Sequence, residues 1–303
     1  MDIVVPASVA NLGAGFDTLA VAVRLYLRAR VVDVRDDGGG TLTVAASTPP
    51  VTGPNAIEKA FAHLARKAAR KVPSVVVEVE SDIPMAAGLG SSAAATVAGL
   101  RTFEYVGQTV SEGALLDAAT ALEGHADNAA AAICGGLVSV LQGTGSEPVA
   151  LRWPWPADVR LVIATPSVGL STSKARAALP SDVPRADAVF NLQRVLAFVH
   201  AMQAGDYGRL RQAVEDRWHQ PARMSLVPQL ADALALDDED VLGAFLSGAG
   251  PSVALLAKRN VARVSQQLES IYQRAGLPVT VRVLDVHQSV EVAPVASAHG
   301  RTV

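Results

Sequence analysis

The residues best equipped for chemistry are Pro84-Met85-Ala86-Ala87-Gly88-Leu89-Gly90-Ser91-Ser92-Ala93. They follow a strand-like run over 75–80 and open an alanine-rich segment that reads as a helix. Glycine lets a backbone turn tightly and come close to a ligand. The first N–H groups of a helix lack intrahelical partners and carry the positive end of its dipole, which suits an anion. Ser91 and Ser92 add hydroxyls where a phosphate or its metal would sit. The chemistry is that of a phosphate cradle, with a nucleotide as the first ligand to test. A glycine-serine turn that binds nothing is the plain alternative. No lysine follows Gly90, and the spacing is not that of a dinucleotide-binding glycine loop.

Several elements must hold this run in place. Residues 21–34 are rich in β-branched types and end at Asp36-Asp37-Gly38-Gly39-Gly40, a turn, after which 41–46 can return as a strand. Asn55 followed by Glu58 looks like a capping box for a helix reaching about residue 70 before Pro73. Further helices are expected over 91–105 and 111–122. Composition shifts at Trp153-Pro154-Trp155-Pro156, so a domain junction is expected there, dividing the chain into 1–152 and 153–303. Beyond it come a strand over 159–164, helices over 187–204 and 207–218, and a second glycine turn, Ser247-Gly248-Ala249-Gly250-Pro251-Ser252, leading into a strand. A helix over 261–275 and a strand over 279–286 follow, which together predict an α+β fold.

Composition narrows the function classes. Half of the 303 residues are hydrophobic and 4% are aromatic, so the core must be built from alanine, valine and leucine. A net charge of −3 gives no electrostatic reason to expect nucleic acid or an anionic membrane as partner. One cysteine, Cys134 in an apolar run, cannot make an intrachain disulfide and reads as a buried, inert thiol. With no signal-like N-terminus and no apolar run of spanning length, a cytoplasmic location is expected.

Three segments in order then resemble the three signatures of the GHMP kinases (galactokinase, homoserine kinase, mevalonate kinase, phosphomevalonate kinase). They are Pro6-Ala7-Ser8-Val9-Ala10-Asn11-Leu12-Gly13-Ala14-Gly15-Phe16-Asp17, the run at 84–94, and Leu246-Ser247-Gly248-Ala249-Gly250-Pro251-Ser252. The resemblance implies a two-domain fold: an N-terminal ribosomal-protein-like ATP-binding domain and a C-terminal ferredoxin-like α/β sandwich. The first segment, with Glu123-Gly124-His125-Ala126-Asp127-Asn128, Ser171-Thr172 followed by Arg176, and His219-Gln220-Pro221-Ala222-Arg223, is similar to the homoserine-kinase branch. That branch implies phosphorylation of L-homoserine by ATP with Mg²⁺, in threonine biosynthesis, by an enzyme expected to be a homodimer. Another small-alcohol kinase of the family, on a mevalonate-like acid or a sugar, and a binding protein without turnover are the alternatives.

By resemblance, residues 84–93 bind the nucleotide, with Gly88, Gly90, Ser91 and Ser92 around the triphosphate. Ser92 and Glu123 are the expected Mg²⁺ ligands. Arg176 and Arg223 hold the substrate carboxylate, as planar guanidinium groups can. Asn11, Asp17 and Asn128 receive its ammonium and hydroxyl, and Thr172 and His125 add hydrogen bonds. Asp17 and Asp127 both stay open as a general base, so the catalytic set is Asn11, Asp17, Asp127 and Asn128. Gly13 and Gly15 shape the first loop, and Gly248 and Gly250 form a turn closing the site. Ala222 stands where the branch often has tyrosine; a wider pocket beside Arg223 is the expected consequence.

Overall fold

The computed structural model of the chain describes residues 2–51, 55–107, 109–142 and 145–288. The strands are β1 (Asp2–Ala10), β2 (Leu19–Arg35), β3 (Leu42–Thr48), β4 (Ser74–Ser81), β5 (Leu137–Leu141), β6 (Val149–Trp153), β7 (Arg160–Pro166), β8 (Val241–Leu246), β9 (Val253–Ala257) and β10 (Val279–Leu284). The α-helices of the first half are α1 (Ala56–Ala65), α2 (Ser91–Tyr105), α3 (Glu112–Glu123) and α4 (Asp127–Cys134). Those of the second are α5 (Thr172–Ala177), α6 (Arg185–Ala204), α7 (Leu210–Ala213), α8 (His219–Arg223), α9 (Leu230–Leu234) and α10 (Val261–Arg274).

Two sheets result. In the first, the long β2 pairs along one edge with β1 and along the other with β4 and β5; β3 joins β4 in parallel and β6 joins β5. In the second, the order β10-β7-β9-β8 is antiparallel throughout, with α5 to α9 between β7 and β8 and α10 between β9 and β10. That is the split βαβ arrangement of a ferredoxin-like sandwich. The segment after β10 then returns to the first sheet, where Arg24 N–H donates to the Asp285 carbonyl and His287 N–H to that of Ala22.

The core is aliphatic, as the composition requires. The inner faces of α2 and α4 are rich in small residues, including Ala93, Ala94, Val97, Ala98, Ala129, Ala130 and Ala131, all buried. Small side chains let helices approach closely; a Cβ on Gly99 of α2 would sit 2.2 Å from the Ile57 carbonyl of α1. Cys134 lies in this core, its thiol pushed up to about 12 by burial.

Some elements differ from the sequence expectation. The α1 helix stops at Ala65 rather than near residue 70. Beyond it Arg66, Lys67, Arg70 and Lys71 would set like charges at i, i+4 on exposed turns. Asn55 caps α1 by accepting from Ile57 N–H, but Glu58 does not complete the box. Its carboxylate instead accepts from Val44 N–H at 2.9 Å, fastening α1 to β3. The helix expected over 207–218 is broken, because the Asp216 carboxylate accepts from the Trp218 and Gln220 amides and starts α8 anew. Short β5 and β6 gave no sequence signal.

Candidate active site

The glycine run leaves β4 and turns through three left-handed residues, Ala86, Gly88 and Gly90 (φ 51, 75 and 70°). Two of these must be glycine. A Cβ on Gly88 would lie 2.4 Å from the Ser247 carbonyl oxygen, and one on Gly90 would lie 2.1 Å from Ser8 Oγ. The run's carbonyls are tied into the protein. Leu170 N–H donates to Ala86, Ser252 N–H to Ala87, Ser247 Oγ to Gly88 and Ser8 N–H to Leu89. The amides of residues 86–93 donate to no other described residue. They lead into the N-terminus of α2, whose cap, Gly90, supplies no side chain. A row of unpartnered amides at a helix start is an anion cradle.

Beside it, Ser92 Oγ and Thr96 Oγ1 donate to the same oxygen, Glu123 Oε1, at 3.0 and 2.6 Å. Ser92 and Thr96 are four apart on α2 and so share a face. Glu123 is the last residue of α3, which ends at Gly124 in the left-handed conformation. Three convergent hard oxygens at the mouth of an anion cradle fit Mg²⁺, which takes oxygen ligands and keeps waters. Thr96 was absent from the sequence reading, although its position one turn after Ser92 was the available signal.

The first loop is built on successive left-handed residues, Asn11, Leu12 and Gly13. The Asn11 amide is spent inside the protein: Nδ2 donates to the Gly248 carbonyl at 2.9 Å and Oδ1 accepts from Asp17 N–H at 3.2 Å. Asn11 therefore ties the first signature to the third. A Cβ on Gly13 would sit 2.2 Å from the Val214 carbonyl oxygen, and Gly15 N–H closes the loop on the Asn11 carbonyl.

The start of α4 adds a buried chain of polar groups. His125 Nδ1 lies 2.7 Å from Asp127 Oδ1, which also accepts from the Asn128 backbone and side-chain amides. Asn128 Oδ1 accepts from Ser8 Oγ at 2.7 Å. Burial pulls the His125 imidazole down, but the hydrogen bond and charge of Asp127 outweigh it and the net direction is upward.

The two arginines arrive from the second half. Arg176, on α5 behind the Ser171 cap, pairs in fork geometry with both carboxylate oxygens of Asp17, at 2.9 and 2.7 Å. Arg223, on α8, is 1% exposed. It donates to the Ala175 and Gly248 carbonyls and meets His219 Nδ1 at 3.3 Å, yet forms no ion pair with any described carboxylate. Burial first, and the like charge of Arg176 next, pull it from 12.5 down to about 10. A buried cation without a partner anion is costly and calls for one.

Most of these groups line one cleft of about 170 Å³ between the two sheets, while Ser8, Thr96 and His219 are not on its wall. Of the residues singled out in the sequence, Asn11, Asp17, Ala86, Ala87, Gly88, Gly90, Ser91, Ser92, Ala93, Glu123, His125, Asp127, Asn128, Thr172, Arg176, Arg223, Gly248 and Gly250 are on its wall. Five are not. Gly13 and Gly15 shape the first loop from off the wall, Leu89 is in the core, Pro84 leads into the loop, and Met85 lines a separate apolar pocket of about 290 Å³ with Pro49, Asn55, Ile57 and Ile83. That pocket shares Ser91 and Ser92 with the cleft. Ala222 does not line the cleft. Phe16 lines the cleft and Ser8 reaches it through Asn128, while the sequence marks both only as parts of a motif. Asp216, which starts α8, was not singled out, because only the fold brings it there.

The comparisons agree with this geometry. The family model for the GHMP kinases N terminal domain matches residues 55–136, and that for GHMP kinases C terminal matches 198–274. The chain belongs to the GHMP kinase family. Curated relatives that it resembles carry the name homoserine kinase. The one from Solibacter usitatus is 38% identical over 90% of each chain, and the one from Deinococcus radiodurans is 38% identical over 92% of each. The crystal structure of homoserine kinase from Cytophaga hutchinsonii superposes with a TM-score of 0.82 at 26% identity, over 95% of both chains.

Proposed function

We propose that this chain transfers the terminal phosphoryl group of ATP to the side-chain hydroxyl of L-homoserine, giving ADP and O-phospho-L-homoserine. The observation that carries the reading is Arg223, a buried guanidinium with no ion-pair partner among the described residues, facing the same cleft as a row of amides that donate to none of them. One site thus wants two anions, a polyphosphate and a small carboxylate. Asp17 beside the arginines suits the ammonium of an amino acid, which a mevalonate-like acid or a sugar lacks.

Residues 86–93 would hold the phosphates, with the adenine in the neighbouring apolar pocket. Ser92, Thr96 and Glu123 would hold Mg²⁺, which when bound offsets phosphate charge. Arg176 and Arg223 would grip the substrate carboxylate, and Asp17 its ammonium. Thr172, His125 and Asn128 would set the hydroxyl in line with the phosphate. Both candidate bases are already committed: Asp17 to Arg176 by two bonds, Asp127 to His125 and Asn128. This favours a mechanism of positioning and charge balance, which a loose phosphoryl-transfer transition state permits.

A coupled ADP-release assay over homoserine, threonine, serine, mevalonate and galactose tests the reading. Homoserine should have the highest kcat/KM; preference for another acceptor, or ATP binding without turnover, refutes it. The proposal extends to a cytoplasmic homodimer, the size of which light scattering would measure. It also divides the chain into 1–152 and 153–303; β6, which ends at Trp153, belongs to the first sheet and β7, which starts at Arg160, to the second. No helix among the described residues is long and apolar enough to cross a membrane.

A further inference from the structure

Phe16 lies in the first signature but has no role in the account above. Its ring is on the cleft wall, with Arg176 Cζ 5.5 Å and Arg223 Cζ 5.3 Å from its centroid. Both distances fall within the roughly 6 Å over which a ring face attracts a guanidinium. The two cations repel each other, and among the described residues only Arg176 of the two forms an ion pair with a carboxylate. The ring is itself held. Trp218 packs against it at 4.9 Å with a 58° tilt, and His219 stacks at 5.3 Å with 27° between the planes.

His219 is a fixed support, its Nε2 also 3.6 Å from the buried Asp216 Oδ2. Burial lowers its pKa, Nε2 donates to the Gly13 carbonyl at 2.7 Å, and Nδ1 is left to accept from Arg223. The loop that carries the ring also carries Asp17, the next residue, so ring and carboxylate are placed as one piece. We propose that Phe16 is a positioning residue for the substrate's carboxylate: a single ring holds both guanidinium groups and sets the gap into which the carboxylate fits. This rests on the homoserine reading above.

The test replaces Phe16 with phenylalanines carrying one, two and three fluorines, which weaken the ring's negative face at nearly constant shape. Phe16→Tyr and Phe16→Leu are made in parallel. The expected result is a stepwise rise in homoserine KM, totalling about 5- to 30-fold for the loss of cation–π attraction. The ATP KM and the melting temperature should stay level, and Phe16→Tyr should lie nearer to wild type than Phe16→Leu. A flat fluorine series refutes the proposal, as does an equal rise in ATP KM. Wild-type protein assayed alongside separates the two failures. No homoserine turnover there refutes the functional reading itself; turnover with a flat series refutes Phe16 alone.

Discussion

Replacing Arg223 with methionine should damage substrate binding far more than folding. In the folded protein its pKa falls from 12.5 to about 10. At about 1.4 kcal/mol per tenfold, the charge costs the fold on the order of 3 kcal/mol. The unfolded chain binds more protons between those two values, so stability rises with pH through that window, and at neutral pH the full cost is present. Methionine removes this cost, fills much of the volume and loses three hydrogen bonds, each of about 1 kcal/mol. The two nearly cancel, and the melting temperature should move by less than about 5 °C. Losing one partner of a buried charge pair costs a ligand about 2–5 kcal/mol, so the homoserine KM should rise roughly 30-fold or more. Steady-state kinetics with each substrate varied, beside calorimetry, reads both numbers. A homoserine KM within threefold of wild type, or a loss of ATP affinity instead, would show that Arg223 does not hold the acceptor. A collapse of stability would show that it is a structural cation.

Other perturbations follow from the same geometry. Combining Ser92→Ala, Thr96→Val and Glu123→Gln should raise the Mg²⁺ concentration needed for half-maximal turnover at least about tenfold, since two hydroxyl donors and the carboxylate charge are lost; an unchanged Mg²⁺ titration would place the ligands elsewhere. Gly88→Ala puts a Cβ 2.4 Å from a backbone oxygen at φ 75°, so a stability loss of more than about 2 kcal/mol is expected by denaturant melts; near-neutrality would mean that the loop and the third signature can separate. By NMR titration, His125 should protonate above 6.5 in the wild type and below it in Asp127→Asn, where burial acts without the acid's hydrogen bond and charge. Its stabilising contribution is then complete below pH 6.5 and fades as pH rises through the raised value; identical titrations in both proteins would contradict the pairing.

The site was legible in the chain wherever backbone conformation dictated residue type. Left-handed turns and close approaches need glycine, so Gly13, Gly88, Gly90, Gly248 and Gly250 stand in the sequence as fixed marks. Helix starts need short polar caps, and Asn55, Ser111 and Ser171 fill that role. Alternation and spacing gave the α+β pattern because side-chain direction follows the local backbone. What the chain alone left open was every relation that depends on distance in space. Nothing local shows that Asn11 is spent on Gly248, that Asp17 has Arg176 as its partner, or that Arg223 is buried without an ion-pair partner among the described residues. Residues 159 to 237 positions apart meet in the first two of these contacts only because two sheets close on one another. Side-chain hydrogen bonds and desolvation act over a few ångströms, so such partners are settled by the tertiary fold, whereas turns and caps are settled within a few residues of chain.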